Sequence, residues 1–379
     1  MRSSSRLGLI LMVAAGCGDD NAEEVVGGPC ATTDGQCIFR HDTFGDEQLW
    51  TDTLRLHEIV QTLPPKMALA VGLKVDAQAV PPDVLASADL DSPATTVALL
   101  GLDAVVGVKA TIENGTITRI GVTCALCHST VDNSVAPGIG NRLDGWPNRQ
   151  LDPGAIISLT PGAPPAAKPA YASWGPGRYD ARFNVDSESH PVLIPPAYGL
   201  RDVAVETYTG EGPVSYWNAY VAVTQMGAQG NFKDDNLGLD IKHDPDRVTP
   251  MLPALREYQF SLAPPTPPAG SFDVDAAARG KLVFDGVGRC TECHTGASYS
   301  DAPKLHAATE TQMSVDEARR SKTGMYRTTP LRGAWSHPPY FHDGSAPTLA
   351  DVVTHYDRVL GLQLTAPQRA DLESYLKSL

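Results

Sequence analysis

Apolar residues recur at helical spacing over 46–63. Leu49, Thr53, Leu56, Val60 and Leu63 share one face, and Pro64-Pro65 closes the stretch. Ala104–Val122 alternates instead. Val108, Ala110 and Ile112 fall on one side, Asn114-Gly115 supplies a two-residue turn, and Ile117 to Val122 returns as a second strand. Helical spacing resumes over Val214–Met226 (Val214, Trp217, Val221). It returns after Thr249-Pro250 (Leu252, Leu255, Tyr258, Leu262), at Asp275–Phe284, and at Thr365–Leu379 behind a threonine cap. Two stretches lack periodicity. Residues 137–200 are rich in Pro and Gly and read as a long irregular wrap. Residues 263–270 (Ala-Pro-Pro-Thr-Pro-Pro-Ala-Gly) read as a stiff linker. The pattern predicts a mainly α chain. A first domain spans 44–262 and carries a β-hairpin and long Pro/Gly-rich loop insertions; a second spans 271–379.

The two domains end alike, Leu255-Arg-Glu-Tyr258-Gln-Phe-Ser261-Leu262 against Leu372-Glu-Ser-Tyr375-Leu-Lys-Ser378-Leu379, which implies a duplicated unit. Each also contains Cys-x-x-Cys-His, at Cys124–His128 and Cys290–His294. This is the attachment pattern of a c-type haem. Two thiols three positions apart on a tight turn reach both vinyl groups, and the next residue, His128 or His294, falls beneath the iron as proximal ligand. A zinc ribbon would need its two pairs about 15–20 residues apart, and a thioredoxin-like site would sit in a βαβ unit. Neither fits. The sequence therefore predicts two covalently attached haems, held by Cys124 and Cys127 and by Cys290 and Cys293, on two cytochrome c-like haem domains.

Composition adds the compartment. Arg2 and Arg6 flank a serine run, Leu7–Ala15 is a short apolar core, and Ala14-Ala15-Gly16 leads into Cys17. This resembles a bacterial lipoprotein signal: 1–16 a signal peptide, Cys17 lipidated as a membrane anchor, and 17–43 a tether. Of the seven cysteines, Cys30 and Cys37 remain, and an oxidising compartment implies a disulfide between them. The location expected is the periplasmic side of the cell envelope. The net charge of −14 argues against nucleic acid and allows docking to a basic redox partner, such as a small cytochrome or cupredoxin.

The second domain contains Thr329-Pro-Leu-Arg332-Gly333, then Pro338-Pro-Tyr340-Phe-His342-Asp-Gly344, then Thr348-Leu-Ala-Asp-Val-Val-Thr-His355-Tyr356. Over roughly 275–379 this resembles the C-terminal haem domain of bacterial di-haem cytochrome c peroxidases and their tyrosine-ligated relatives. The resemblance implies that Arg327, Arg332 and His342 meet haem propionates, where charge-assisted donors are needed. It places Tyr356 at the family's distal methionine position. His355 is the adjacent alternative, with Met313 and Met325 as remaining candidates. The first domain echoes the frame loosely through Pro195–Leu200 and Thr209–Gly212. There Gln225 stands about where the peroxidases have a catalytic glutamate, and an amide cannot take a proton as a carboxylate can. Gly138–Trp146 lacks the family's exchangeable histidine. Met226 becomes the candidate distal ligand of the first haem. His57 reads as a core or boundary residue, and Trp217 and Trp335 are candidates for relaying electrons. The expectation is a di-haem electron carrier. The alternative is a peroxidase-like oxidoreductase, for which no catalytic residue is assigned. Protein matured where haem is attached should exceed the mass of the processed polypeptide by two haems. The Cys290→Ala/Cys293→Ala variant should carry one.

Overall fold

The computed structural model describes residues 30–379, so the predicted signal peptide and Cys17 lie outside it. The chain is mainly helical with six two-stranded sheets among the described residues, and its apolar residues gather into two cores.

The first core begins earlier than the sequence pattern implied. Gly35–His41 is a helix, capped by Asp34 through the backbone N–H of Cys37 and stapled by a Cys30–Cys37 disulfide. Ile38 and Phe39 on it are fully buried. The expected tether over 17–43 therefore gives way, from Cys30 on, to a structural element of the first unit. The helix crosses Leu252–Ser261 so closely that a Cβ on Gly35 would lie 2.0 Å from the carbonyl oxygen of Ala254. The second unit repeats the device. Val274–Asp285 crosses the C-terminal Ala366–Lys377 helix at Gly280, whose Cβ would lie 1.9 Å from the carbonyl oxygen of Asp371. Phe39 packs on Tyr258 at 5.5 Å, and Phe284 on Tyr375 at 5.2 Å. The duplication implied by the matching domain ends thus extends to the helices that those ends pack against.

The helix expected over 46–63 is broken. A π-turn, Gln48–Thr53, is followed by Arg55 in the left-handed region (φ 59°) and a short helix, Leu56–Val60. The cause is the hairpin beside it. Thr51 both donates to the carbonyl of Ile120 (3.0 Å) and accepts its N–H (2.8 Å), which holds the turn against a strand edge. Pro65 then opens a further helix, Pro65–Ala70, in the first-turn position where a missing N–H costs nothing. The hairpin itself pairs Val108–Glu113 with Thr116–Val122, and Asn114 and Gly115 both have positive φ, as this tight turn requires. It delivers the chain into Cys124. The wrap at 137–200 has more order than its composition implied. Helices Pro153–Leu159 and Lys168–Ser173 and the pairing of Arg178–Tyr179 with Val192–Leu193 are fixed by edge-to-face packing among Tyr171, Trp174, Tyr179 and Phe183. Val214–Val221 continues into a π-turn, Ala222–Met226, stopped by Gly227.

The second unit adds Leu349–Leu360, started by a capping box in which Thr348 and Asp351 satisfy each other's backbone N–H. Its core holds Phe284, Val353, Leu372, Tyr375 and Leu376. The proline-rich linker lies along both units: Pro265 accepts from the indole of Trp335 (3.2 Å), and Pro264 covers Gly199. Between the units, the backbone of Leu193 donates to His342 (2.7 Å) and that of Arg327 to Tyr208 (2.7 Å). A buried ion cluster accompanies these bonds. Arg320 of the second unit reaches Asp180 and Asp186 of the first, each at 2.9 Å, and Glu317 of its own helix at 3.6 Å. Arg320→Ala would strand carboxylates in a dry boundary. It should cost about 3–5 kcal/mol in chemical unfolding, against less than about 1 kcal/mol for the half-exposed Arg319→Ala.

Candidate haem site

Both Cys-x-x-Cys-His motifs open onto one continuous cavity of about 1250 Å³. Its walls are mostly aliphatic and aromatic, drawn from the hairpin, the wrap, the Val214–Met226 helix, the linker and the Leu349–Leu360 helix. It is larger than the roughly 300–1,000 Å³ of an ordinary small-molecule site.

The two histidines are held in the same way. Nδ1 of His128 lies 3.1 Å from the carbonyl of Pro195, and Nδ1 of His294 lies 2.9 Å from that of Tyr299. A carbonyl only accepts, so Nδ1 carries the hydrogen and Nε2 keeps its lone pair. This is how a metal-binding imidazole is fixed in tautomer and orientation. Burial pushes His128 down to about 4 and also lowers His294, so both rings are neutral donors at pH 7. The four motif cysteines are unpaired although the same chain forms a disulfide elsewhere. Burial raises all four thiols, Cys124 and Cys127 to about 12 and Cys290 to about 11, with Cys293 moved in the same direction. Neutral thiols in an apolar wall suit thioether formation better than thiolate binding of a bare metal ion. The residues present therefore fit covalent haem.

The structure separates the remaining candidates. Tyr356 lines the cavity, with Cys290 and Cys293 close enough to affect its ionisation, and burial pushes its phenol up to about 12. His355 does not line the cavity. Its Nε2 lies 2.8 Å from the carbonyl of Thr311, and its ring rests on Phe341. The helix turns adjacent residues to different faces, and of the two Tyr356 is the one presented to the space. Met226 lines the cavity and is 7% exposed, whereas Met313 lines it and Met325 stands at its outside, 40% exposed. Gln225 also faces in, its amide fixed between the Tyr179 hydroxyl (3.1 Å) and Asn184 (2.9 Å). His57 does not line the cavity.

Arg327, Arg332 and His342 all line it. Arg327 donates to the carbonyls of Val205 and Glu206 while its Nε is buried without a partner, and burial lowers it to about 10. Arg332 donates to Ala297 (2.8 Å) and lies over Tyr299. His342 is 3.1 Å from the Tyr326 hydroxyl. Trp217 lines the cavity, its indole donating to the Glu211 carbonyl (2.8 Å). Trp335 does not. It packs edge-on against Trp146 at 5.8 Å, joining the units outside the cavity wall. Sequence reasoning gave no role to Arg149, Tyr198 or His337, which meet where the two units adjoin the cavity. Arg149 stands three residues past the end of the Gly138–Trp146 stretch already singled out, but nothing in the sequence marks its partner.

Residues 324–360 match the RoxA-like, cytochrome c-like family. No curated protein sequence matches the chain. Among solved structures, similarity extends to a Kuenenia stuttgartiensis hydrazine synthase (19% identity, TM-score 0.36, covering 50% of this chain and 72% of that one). It also extends to a MauG-like protein associated with microbial copper homeostasis (18% identity, TM-score 0.36, covering 51% and 74%). The family match spans the segment from Gly324 through Tyr340–Gly344 to Leu360. With the Cys290–His294 motif it makes the second unit a cytochrome c-like, haem-bearing domain. Tyr356→Phe should change the absorption spectrum of this domain's haem, whereas His355→Phe should leave it as in the parent protein.

Proposed function

We propose that the chain is a two-haem c-type cytochrome that passes electrons in the bacterial cell envelope. One observation carries this reading: a single apolar cavity bordered by two attachment motifs, each with its histidine tied through Nδ1 to a carbonyl. When bound, haem supplies one-electron exchange between ferrous and ferric iron. The chain's part is to hold, shield and tune it. Cys124 and Cys127, and Cys290 and Cys293, would anchor the two groups, with His128 and His294 as proximal ligands. Met226 would offer a thioether to the first iron and Tyr356 a phenol to the second, favouring a higher potential for the first than for the second. Arg327, Arg332 and His342 would neutralise propionates at the second site.

Gln225 supports carrier over peroxidase. Both ends of its amide are engaged with neutral partners, so no proton acceptor stands at that position. A haem-based oxidation remains the second reading, because a phenol held neutral by burial is a weak ligand that could leave a coordination position open at the second iron. The acidic chain would meet a basic redox partner, a small cytochrome or cupredoxin, from the periplasmic side, with Cys17 as lipid anchor.

Low-temperature electron paramagnetic resonance of the purified ferric protein separates the readings. Two low-spin signals are expected. A high-spin signal that disappears on adding peroxide would overturn the carrier reading in favour of the oxidoreductase.

A further inference from the structure

Arg149 is a cation without an anion. Its Nε and Nη1 are buried and have no hydrogen-bond partner, and among the described residues no carboxylate lies within ion-pair distance. Burial lowers its pKa to about 10, opposed only by the phenols of Tyr198 and Tyr340. Those phenols are themselves raised by burial, Tyr198 to about 12, and so carry no balancing charge at pH 7. A second guanidinium, Arg178, is near enough to add repulsion. From the other unit comes His337, whose Nδ1 is also buried and unpartnered; burial lowers it to about 4, with Arg149 contributing. In a chain with 44 acidic and 30 basic side chains, a carboxylate-free cationic corner needs a reason. Buried charge is tolerated when it is paired, and left alone it opposes folding.

The corner is also built in place. The backbone of Asn148 donates to the carbonyl of Cys127 (2.9 Å), and its side chain donates to the carbonyl of Gly72 (2.9 Å) while accepting from Leu151. Gly177 packs on the backbone of Arg149, where a Cβ would come within 2.7 Å of the carbonyl oxygen. The Arg149 backbone is thus fixed beside the first attachment motif, and both Arg149 and His337 line the cavity that the motif opens onto.

We infer that Arg149, with His337 across the unit boundary, forms a carboxylate-binding site that takes a propionate of the haem held by Cys124 and Cys127. The inference rests on the haem reading above. It differs from the roles of Arg327, Arg332 and His342, all of which lie in the second unit. A planar guanidinium suits a carboxylate through paired N–H donors, and an imidazole N–H supplies a third. Because the two donors come from different units, loading the first site also ties the second unit to it.

The test uses the holoprotein, with the parent, Arg149→Gln, Arg149→Lys and His337→Gln compared. Intact mass gives the haem count, and spectroelectrochemical titration gives both midpoint potentials between about pH 6 and about pH 8. Arg149→Gln should lower the first haem's potential, because an uncompensated propionate favours ferric iron, and should make it fall as pH rises. The second haem's potential should stay put. Arg149→Lys should keep most of the parent behaviour, and His337→Gln should show a smaller shift in the same direction. Parent-like potentials and pH profiles in Arg149→Gln with both haems attached would overturn the site while leaving the haem reading intact. Equal shifts in Arg149→Lys and Arg149→Gln would overturn the charge-pairing argument. A parent protein without covalent haem would overturn the functional reading itself.

Discussion

The constraint on which the structure depends is that neither unit closes its apolar surface by itself. Hairpin, wrap, linker and the Leu349–Leu360 helix each turn some side chains toward one shared space, in addition to those packed in the two cores. Close packing is the usual condition of a protein interior, and an apolar wall without a partner loses both transfer free energy and dispersion contacts. A flat, largely apolar group attached by two thioethers would restore both. The same economy explains why a chain so rich in proline and glycine still orders its loops. Residues 137–200 need not build a core of their own, because they pack on aromatic neighbours and on the cavity rim.

The duplication was partly legible. The matching ends at Leu255–Leu262 and Leu372–Leu379 disclose it, and both prove to be helices crossed by an earlier helix at a glycine. The earlier partner in the second unit, Gly280-Lys-Leu-Val-Phe284, was found by its periodicity. Its counterpart, Gly35-Gln-Cys-Ile-Phe39, carries the same glycine, aliphatic and phenylalanine positions. It lies in a short polar stretch where a disulfide loop reads as a tether. Alignment of the two units, rather than local pattern, would have recovered it. The broken helix at 46–63 shows the opposite failure. Its spacing is helical, but Thr51 bonds to a strand almost seventy positions away, and no local window contains that partner.

The site divides along the same line. The attachment motifs are contiguous, so five adjacent residues announce the chemistry. Which of His355 and Tyr356 faces the cavity depends on the helix phase and the carbonyl of Thr311, which only the fold supplies. Arg149 and His337 were invisible because neither has a protein partner that a pattern could pair with it. A residue whose counterpart is a cofactor leaves an unanswered charge in the protein, and that deficit shows only once every other pairing has been traced.

The linker at 263–270 carries a consequence of a different kind. Its prolines are stiff and already laid along both units, with Pro264 against Gly199 and Pro265 under Trp335. The second unit is thereby held at a high local concentration with respect to the first. A boundary of modest intrinsic affinity then suffices to stay closed. The polar, ion-rich contacts around Arg320 can serve for alignment rather than adhesion, and the two halves can remain in register while side chains at their boundary rearrange.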